Sequence, residues 1–284
     1  MEQVTTIAEV RSAVAEAKAE GRCVGFVPTM GNLHEGHFSL IRSAEEACDF
    51  VVVSIFVNPT QFGPGEDYQT YPRTPQQDLQ GCGDSGADLV FLPTVEEMYP
   101  TGSFTTVHVD RLTQVLCGAS RPGHFDGVCT VVAKLLNIVG PHRAFFGAKD
   151  YQQATVITRM ASDLNMPVQI VTCPTVRESD GLAMSSRNRY LSPEQRREAP
   201  GLHEALQAGA AAVRQGAGPE AVAQVIRSHL AENVPGGTVD YVEVRDPRTL
   251  EPLDRPGGPT LLALAVRLGP ARLIDNIVVD APGG

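Results

Sequence analysis

The sequence predicts an α/β fold, a doubly wound, Rossmann-like parallel sheet followed by a smaller α+β C-terminal domain, and three features predict it. Short β-branched runs recur through residues 1–175 and alternate with stretches of helical composition, as open parallel sheets with right-handed crossovers require. One run, Phe50 to Val57 (FVVVSIFV), is almost unbroken in apolar character, as befits a strand covered on both faces. Beyond about Thr175 the pattern becomes helices followed by strands of antiparallel type, which divides the chain into domains at 1–175 and 176–284. A length of 284 residues suits two modest domains.

In order along the chain, Val10, Val14 and Ala17 stand at helical spacing within Met1 to Glu20, ahead of a turn at Gly21 and a strand from Cys23 to Val27. Phe38 to Cys48 is helical in composition and leads into Phe50 to Val57. Asp88 to Leu92 (DLVFL) is a third short strand. After a Gly/Pro-rich loop come a mostly buried helix from Gly127 to Val139, a strand from Arg143 to Phe146, a helix from Tyr151 to Leu164 and a strand from Val168 to Cys173. The remainder holds a polar loop, helical stretches Pro193 to Gly216 and Pro219 to Asn233, and strands Val239 to Val244 and Leu261 to Leu268. No internal repeat is visible.

Composition narrows the function classes. A 42% hydrophobic and 20% charged chain has the material for a real core. The 33 acidic side chains outnumber the 23 basic ones, a net charge of −10, which counts against nucleic acid or an anionic membrane as partner. A few cations converging on one small anion remain compatible with it. The six cysteines, Cys23, Cys48, Cys82, Cys117, Cys129 and Cys173, form no CxxC pair, so they read as thiols in a reducing cytosol and indicate neither a zinc site nor a disulfide framework. Met1 to Lys18 carries no signal-peptide run, and no uninterrupted apolar stretch of about 18 residues occurs, so a soluble, cytoplasmic protein is expected.

Three constellations carry chemistry. The first, Pro28 to His37 (PTMGNLHEGH), follows the first predicted strand and leads into a helix, where loop amides and a helix N-terminus can meet an anion. Gly31 and Gly36 permit close backbone approach or positive φ, and His34 and His37 can share one face of a turn, an arrangement that suits a polyphosphate. The spacing is one residue short of an HExxH zinc motif, and no GxGxxG follows that strand. The second, Gly147-Ala148-Lys149-Asp150, stands between a strand and a helix, with Lys149 placed to neutralise phosphate oxygens, Asp150 to complement the helix N-terminus, and Gln152 and Gln153 one turn inside. The third, Arg177 to Arg189 (RESDGLAMSSRNR), is a polar loop with hydroxyls and arginines able to close over a triphosphate. Taken singly, each has a plainer reading: a turn with surface histidines, a lysine beside an N-cap aspartate, a solvated linker.

Together they form an ordered set. HxGH after the first strand and a later MSxxx loop mark the nucleotidyl-transferring α/β superfamily that includes class I aminoacyl-tRNA synthetases and cytidylyltransferases. Within it, PTMGNLHEGH, FVNPTQFGPGEDYQTYPRT, SRPGHFDGV, FFGAKDYQQ and VRESDGLAMSSRNRYL, running from Pro28 to Leu191, resemble the pantothenate synthetase (pantoate–β-alanine ligase) family. The resemblance implies an ATP loop formed by Met30, Gly31, Asn32, Leu33, His34, Glu35, Gly36 and His37, with His37 as proton donor and His34 as a second phosphate contact. It implies a nucleotide loop at Gly147, Ala148, Lys149 and Asp150, an adenine contact at Val176, and a loop closing over phosphates at Met184, Ser185, Ser186 and Arg187. Catalytic roles fall to His37, His34 and Lys149. Gln61 and Gln153 correspond to pantoate ligands, with Asn58 supporting the same pocket; neutral amides hold the hydroxyls of a polyol acid without quenching its carboxylate. Ala148 stands where the family usually has Glu, and Thr60 where Met is frequent.

The reaction so implied is ATP-dependent and amide-forming. Pantoate attacks the α-phosphorus and expels pyrophosphate; the amine of β-alanine then attacks the pantoyl adenylate and releases AMP. Magnesium is implied with ATP, held mainly by phosphates, and Asp78 is the one carboxylate offered to it; no metal ligand is otherwise assigned. No base for the amine is assigned. A homodimer is implied, with pantoate and β-alanine as small-molecule substrates. The rivals are a cytidylyltransferase of the same fold, which the glutamine-bearing strings disfavour, and a non-catalytic nucleotide-binding regulator, which the full set of phosphate-contact positions disfavours.

Overall fold

The computed structural model describes residues 1–255 and 257–280; position 256 and positions 281–284, part of the C-terminal domain expected over 176–284, lie outside the described residues. The chain groups into two compact units. The larger comprises Met1–Gln114, Arg121–Ala148 and Gln153–Pro174, the smaller Val115–Ser120, Lys149–Gln152 and Thr175–Gly284. Two short excursions, 115–120 and 149–152, thus group with the C-terminal part, which no local pattern in the sequence signals.

The larger unit is built from β1 (Glu2–Val4), α1 (Ile7–Ala19), β2 (Val24–Thr29), α2 (Glu35–Ala47), β3 (Phe50–Ile55), α3 (Pro75–Asp84), β4 (Leu89–Phe91), α4 (Val95–Met98), a short α5 (Cys117–Ser120, in the smaller unit), α6 (His124–Val139), β5 (Arg143–Gly147), α7 (Tyr151–Asp163) and β6 (Gln169–Cys173). The six strands form one parallel sheet in the order β1-β4-β3-β2-β5-β6. The helix read over Met1 to Glu20 begins later than expected: Glu2–Val4 is an edge strand on β4, and Thr6 starts α1 with a capping box to Glu9. Val51, Val52 and Val53 of β3 are all buried, on both faces, which is why FVVVSI carries no alternation. From β2 the order runs outward to β3 on one side and to β5 on the other, so the chain's direction of winding reverses between β2 and β5.

The smaller unit has α8 (Pro193–Glu198), α9 (Gly201–Arg214), α10 (Pro219–Asn233) and a three-stranded antiparallel sheet, β7 (Gly237–Arg245), β8 (Pro259–Leu268) and β9 (Ala271–Asp280). The stretch expected as one helix from Pro193 is two, because the chain turns at Ala199–Pro200. Leu202, Leu206, Val222, Ile226 and Leu230 of α9 and α10 pack with Leu262, Leu264 and Val266 of the sheet in one core. The third strand, β9, is absent from the sequence-based expectation: Asp275 and Asn276 interrupt its apolar alternation, although both are buried.

Candidate active site

The first motif is built at the carboxyl end of β2. Gly31 and Asn32 both take left-handed backbone, at φ of 82° and 51°, and turn the chain out of the strand. Space is tight there: a Cβ on Gly31 would lie 3.0 Å from Ile55 and 3.1 Å from the Asp78 carboxylate. That carboxylate, 2% exposed, accepts the Asn32 and Leu33 amides, each at 2.8 Å, and the Thr74 hydroxyl at 3.0 Å. Asp78, the one carboxylate offered to magnesium, anchors this loop, with its oxygens taken by two loop amides and the Thr74 hydroxyl. Leu33 has its side chain in the core and its amide on Asp78, so its carbonyl is the part of it that can face a nucleotide.

His34 caps α2. Its Nδ1 accepts the Gly36 amide at 3.1 Å, and Nδ1 of His37 accepts the His34 amide at 3.3 Å. A ring nitrogen that accepts carries no hydrogen, so in both neutral rings the hydrogen is on Nε2. The ring centroids are 4.2 Å apart. The pair stands at the N-terminus of a 13-residue helix, where peptide dipoles and amides favour an anion. Glu35 and Gly36 make the first turn, in which Gly36 does not use positive φ.

A second cluster follows β3. Asn58 and Gln61 are buried, not solvated, at 1% and 8% exposure. Asn58 Nδ2 donates to Gln61 Oε1 and to the Gly127 carbonyl, each at 3.1 Å, while Gln61 Nε2 lies 3.0 Å from the Met30 sulfur. Asn58 Oδ1 accepts the hydroxyls of Tyr99 at 2.9 Å and Thr60 at 3.0 Å, so Thr60 supports Asn58. Gly127 explains part of SRPGHFDGV: a Cβ there would come within 2.3 Å of the Thr60 carbonyl oxygen, so only glycine lets α6 approach this turn. Arg121 pairs with both oxygens of Glu66, at 2.7 and 2.6 Å, and donates to Nε2 of His124 at 3.0 Å. A guanidinium only donates, so the His124 hydrogen is on Nδ1, which donates to the Gln61 carbonyl at 2.7 Å. Burial pushes the Glu66 carboxyl up, but the hydrogen bonds and charge of Arg121 with the Gly63 amide outweigh it and hold it below the usual range.

In the smaller unit, the first part of the polar loop expected from Arg177 to Arg189 pairs as a β-hairpin. Arg177 bridges to Ala183, Glu178 donates its amide to the Leu182 carbonyl at 2.8 Å, and the Met184 amide donates to the Val176 carbonyl at 3.0 Å. Charged groups brace it. Arg177 donates to both oxygens of buried Asp275 at 2.7 and 2.9 Å, and Arg196 joins Glu178 at 2.7 Å and Asp180 at 2.6 Å. The hydrogen bond from Arg196 holds the Asp180 carboxyl below its usual range. Ser185 caps the 3-10 turn Ser186–Tyr190, accepting the Arg187 amide at 3.3 Å, and Asn188 donates to Glu178 and to the Ala183 carbonyl.

Lys149 belongs to the 3-10 turn Ala148–Asp150, with Nζ 3.6 Å from the Asp150 carboxylate; its carbonyl accepts Nδ2 of Asn276 at 2.8 Å. Lys149, Ser185 and Asn188 line one small cavity with Leu182, Ala183, Leu202, Leu273, Ile274 and Asp275. The second and third motifs therefore meet within this unit. His203 lies 3.7 Å from Asp275, yet burial, helped by the Arg177 guanidinium, pushes its pKa below the ordinary 6.5, so it is a neutral neighbour and not an ion-pair partner.

Against known proteins, the profile described as pantoate-beta-alanine ligase matches residues 2–278. The chain belongs to the pantoate–β-alanine ligase family. Among its relatives are pantothenate synthetases of Pelotomaculum thermopropionicum, 57% identical over 96% of this chain and 97% of that one, and of Moorella thermoacetica, 56% identical over 99% of each. A solved pantothenate synthetase from Thermus thermophilus is 49% identical with a TM-score of 0.93, covering 98% of this chain and 99% of that one. A Francisella tularensis pantoate-beta-alanine ligase, described as complexed with beta-gamma ATP and beta-alanine, is 36% identical with a TM-score of 0.81, covering 98% and 97%. Membership makes this chain an enzyme, a ligase that forms the amide bond between pantoate and β-alanine.

Within that family frame, the remaining expected residues fall as follows. Gly147 ends β5 and Ala148 follows it, both half-buried; Gln153 is half-buried in α7; Ser186 and Arg187 are half-buried in their 3-10 turn. Gln152, one position from Gln153, is structural: it accepts the Cys117 amide at 3.0 Å and donates to the Val115 carbonyl at 2.7 Å. The residues left without a role by sequence reasoning are Glu66, Tyr99, Arg121, Gly127, Asp275 and Asn276. Glu66, Arg121 and Gly127 lie inside strings that the family resemblance had marked; the other three lie outside them.

Proposed function

We propose that this ligase acts in two steps, adenylation of pantoate by ATP followed by aminolysis of the pantoyl adenylate by β-alanine. The observation that carries the reading is the His34–His37 pair, whose Nδ1 atoms accept backbone amides and so fix the hydrogen of each neutral ring on Nε2, a donor at the N-terminus of α2. Such preorganised donors act where negative charge grows on a departing pyrophosphate. In this reading Met30, Gly31, Asn32, Glu35 and Gly36 shape the triphosphate loop, and His37 is the donor to the leaving group. Lys149, with Gly147, Ala148 and Asp150, serves the nucleotide phosphates, Val176 meets the adenine, and Met184, Ser185, Ser186 and Arg187 close over the triphosphate. Gln61 and Gln153 hold pantoate, and Asn58 fixes Gln61 through its amide. Magnesium enters with ATP, held mainly by the phosphates, and we assign it no protein ligand and no step. The two units are read as two domains, the larger for pantoate and the triphosphate loop, the smaller for the hairpin.

A cytoplasmic homodimer is the proposed state of the enzyme; sedimentation checks the dimer. The stepwise order is tested by isotope exchange. With pantoate and magnesium but no β-alanine, labelled pyrophosphate should enter ATP, and exchange that requires β-alanine would contradict the order. Gln61→Ala should keep ATP affinity and lose pantoate affinity in calorimetry.

A further inference from the structure

Strand β9 carries two adjacent buried polar residues. Consecutive side chains of a strand point to opposite faces, so Asp275 and Asn276 serve two sides of the sheet of the smaller unit. Asp275 shares its face with Leu273 and Val279, which lie in the core with α9 and α10, and there it takes both guanidinium bonds of Arg177. Asn276, on the other face, donates to the backbone carbonyl of Lys149 at 2.8 Å. They are 3% and 8% exposed, polar residues in a strand that packing alone would fill with apolar ones. Polar groups buried this deeply persist where their bonds specify a geometry, and both bonds end on the segments that carry Lys149, Val176 and Met184.

We propose that Asp275 and Asn276 are positioning residues for the ligase reaction: Asn276 fixes the backbone from which Lys149 projects, and Asp275, through Arg177, fixes the hairpin that pairs Val176 with Met184. The inference rests on the reading of Lys149 as a phosphate contact. A side chain on a 3-10 turn points where its backbone directs it, and the Asn276 amide is a fixed tether for that turn. Displacement by about 1 Å of a group that stabilises developing charge is enough for a roughly 10²-fold loss.

The test is a double-mutant cycle on the full-length enzyme, with Asn276→Leu, Lys149→Ala and the double variant, read as single-turnover adenylation with kcat and KM for ATP and a melting curve. Leucine is close to asparagine in shape and removes the hydrogen bond. Asn276→Leu should lower the adenylation rate about 10-fold to 10²-fold, with KM for pantoate unchanged, and the double variant should be no slower than Lys149→Ala alone. Additive losses, or a normal rate with only a lower melting temperature, would overturn the assignment of Asn276. A normal rate in Lys149→Ala would overturn the reading of Lys149, and the Asn276 assignment with it. For the other face, Asp275→Asn should raise KM for ATP and weaken binding of preformed pantoyl adenylate, whose adenine Val176 also meets, while leaving KM for pantoate unchanged. If folding fails in that variant, Arg177→Lys, which keeps the charge but not the paired hydrogen bonds, should give the same KM effect, and an unchanged KM in Arg177→Lys would overturn the role of Asp275.

Discussion

The two units hold their motif residues by different means. In the larger unit the positions are set mainly through the backbone: two left-handed residues turn the loop after β2, Asp78 collects two of its amides, and a bare glycine lets α6 touch the turn after β3. In the smaller unit the hairpin, beyond its own backbone pairing, is braced from its side chains, by Arg177 on Asp275 and by Arg196 on Glu178 and Asp180. Left-handed turns and close steric contacts carry no charge, whereas the hairpin's braces are made of charged side chains.

The contrast can be broken first at Gly127. Adding the methyl of alanine at 2.3 Å from a carbonyl oxygen forces α6 and the Asn58–Gln61 turn apart. Overpacking of this kind costs about 1–3 kcal/mol or more. Gly127→Ala should lower the melting temperature and reduce kcat/KM for pantoate more than for ATP; a variant with normal pantoate kinetics would show that the close approach is dispensable. At least comparable in size is Asp78→Ala, which strands the Asn32 and Leu33 amides and the Thr74 hydroxyl. Each buried donor left unsatisfied costs about 1–3 kcal/mol. Calorimetry should find ATP affinity weakened, with pantoate affinity far less affected.

A smaller effect concerns pH. Because the folded pKa of His203 lies below its unfolded value of about 6.5, the unfolded chain binds more protons. Stability is whole above that pH and declines as pH falls through it toward the lowered folded value. Glu66 and Asp180, also lowered, lose their contribution at more acidic pH, from the ordinary carboxylate range downward. Hydrogen exchange at pH 7.5 and 5.5 should therefore show α9 and β9 loosening, and His203→Gln should remove that part of the change. An identical response in wild type and variant would exclude His203 as the source. The smallest expected effect is Arg196→Gln, whose partly exposed pairs are worth about 0.2–1 kcal/mol, visible as a small shift in melting temperature and a modest rise in KM for ATP.

Much of this was legible in the sequence. The parallel-sheet strands after β1 stand out because β-branched runs such as FVVVSI need no alternation when both faces are covered, and the HxGH turn because its histidines, glycines and position each have a physical reason. What escaped depends on partners far away in the chain. Asp78 reads as a carboxylate open to magnesium until the loop 46 residues earlier folds onto it. The hairpin at Val176 to Met184 reads as a polar loop because its brace, Asp275, lies 98 residues beyond Arg177. β9 was missed because Asp275 and Asn276 break the pattern that marks a buried strand, and they break it where they hold the segments carrying Lys149, Val176 and Met184.

The central claim, that the His37 and Lys149 motifs serve different parts of the same nucleotide chemistry, is tested by separating the half-reactions. In single-turnover quench-flow, His37→Ala should slow adenylation by about 10²–10³, the usual loss for one preorganised donor. Supplied with preformed pantoyl adenylate and β-alanine, it should make pantothenate at nearly the normal rate, since no pyrophosphate leaves in that step. Lys149→Ala should lose more of the second step, because the α-phosphate persists in the adenylate. Equal loss of both steps in His37→Ala would contradict its assignment to the departing pyrophosphate.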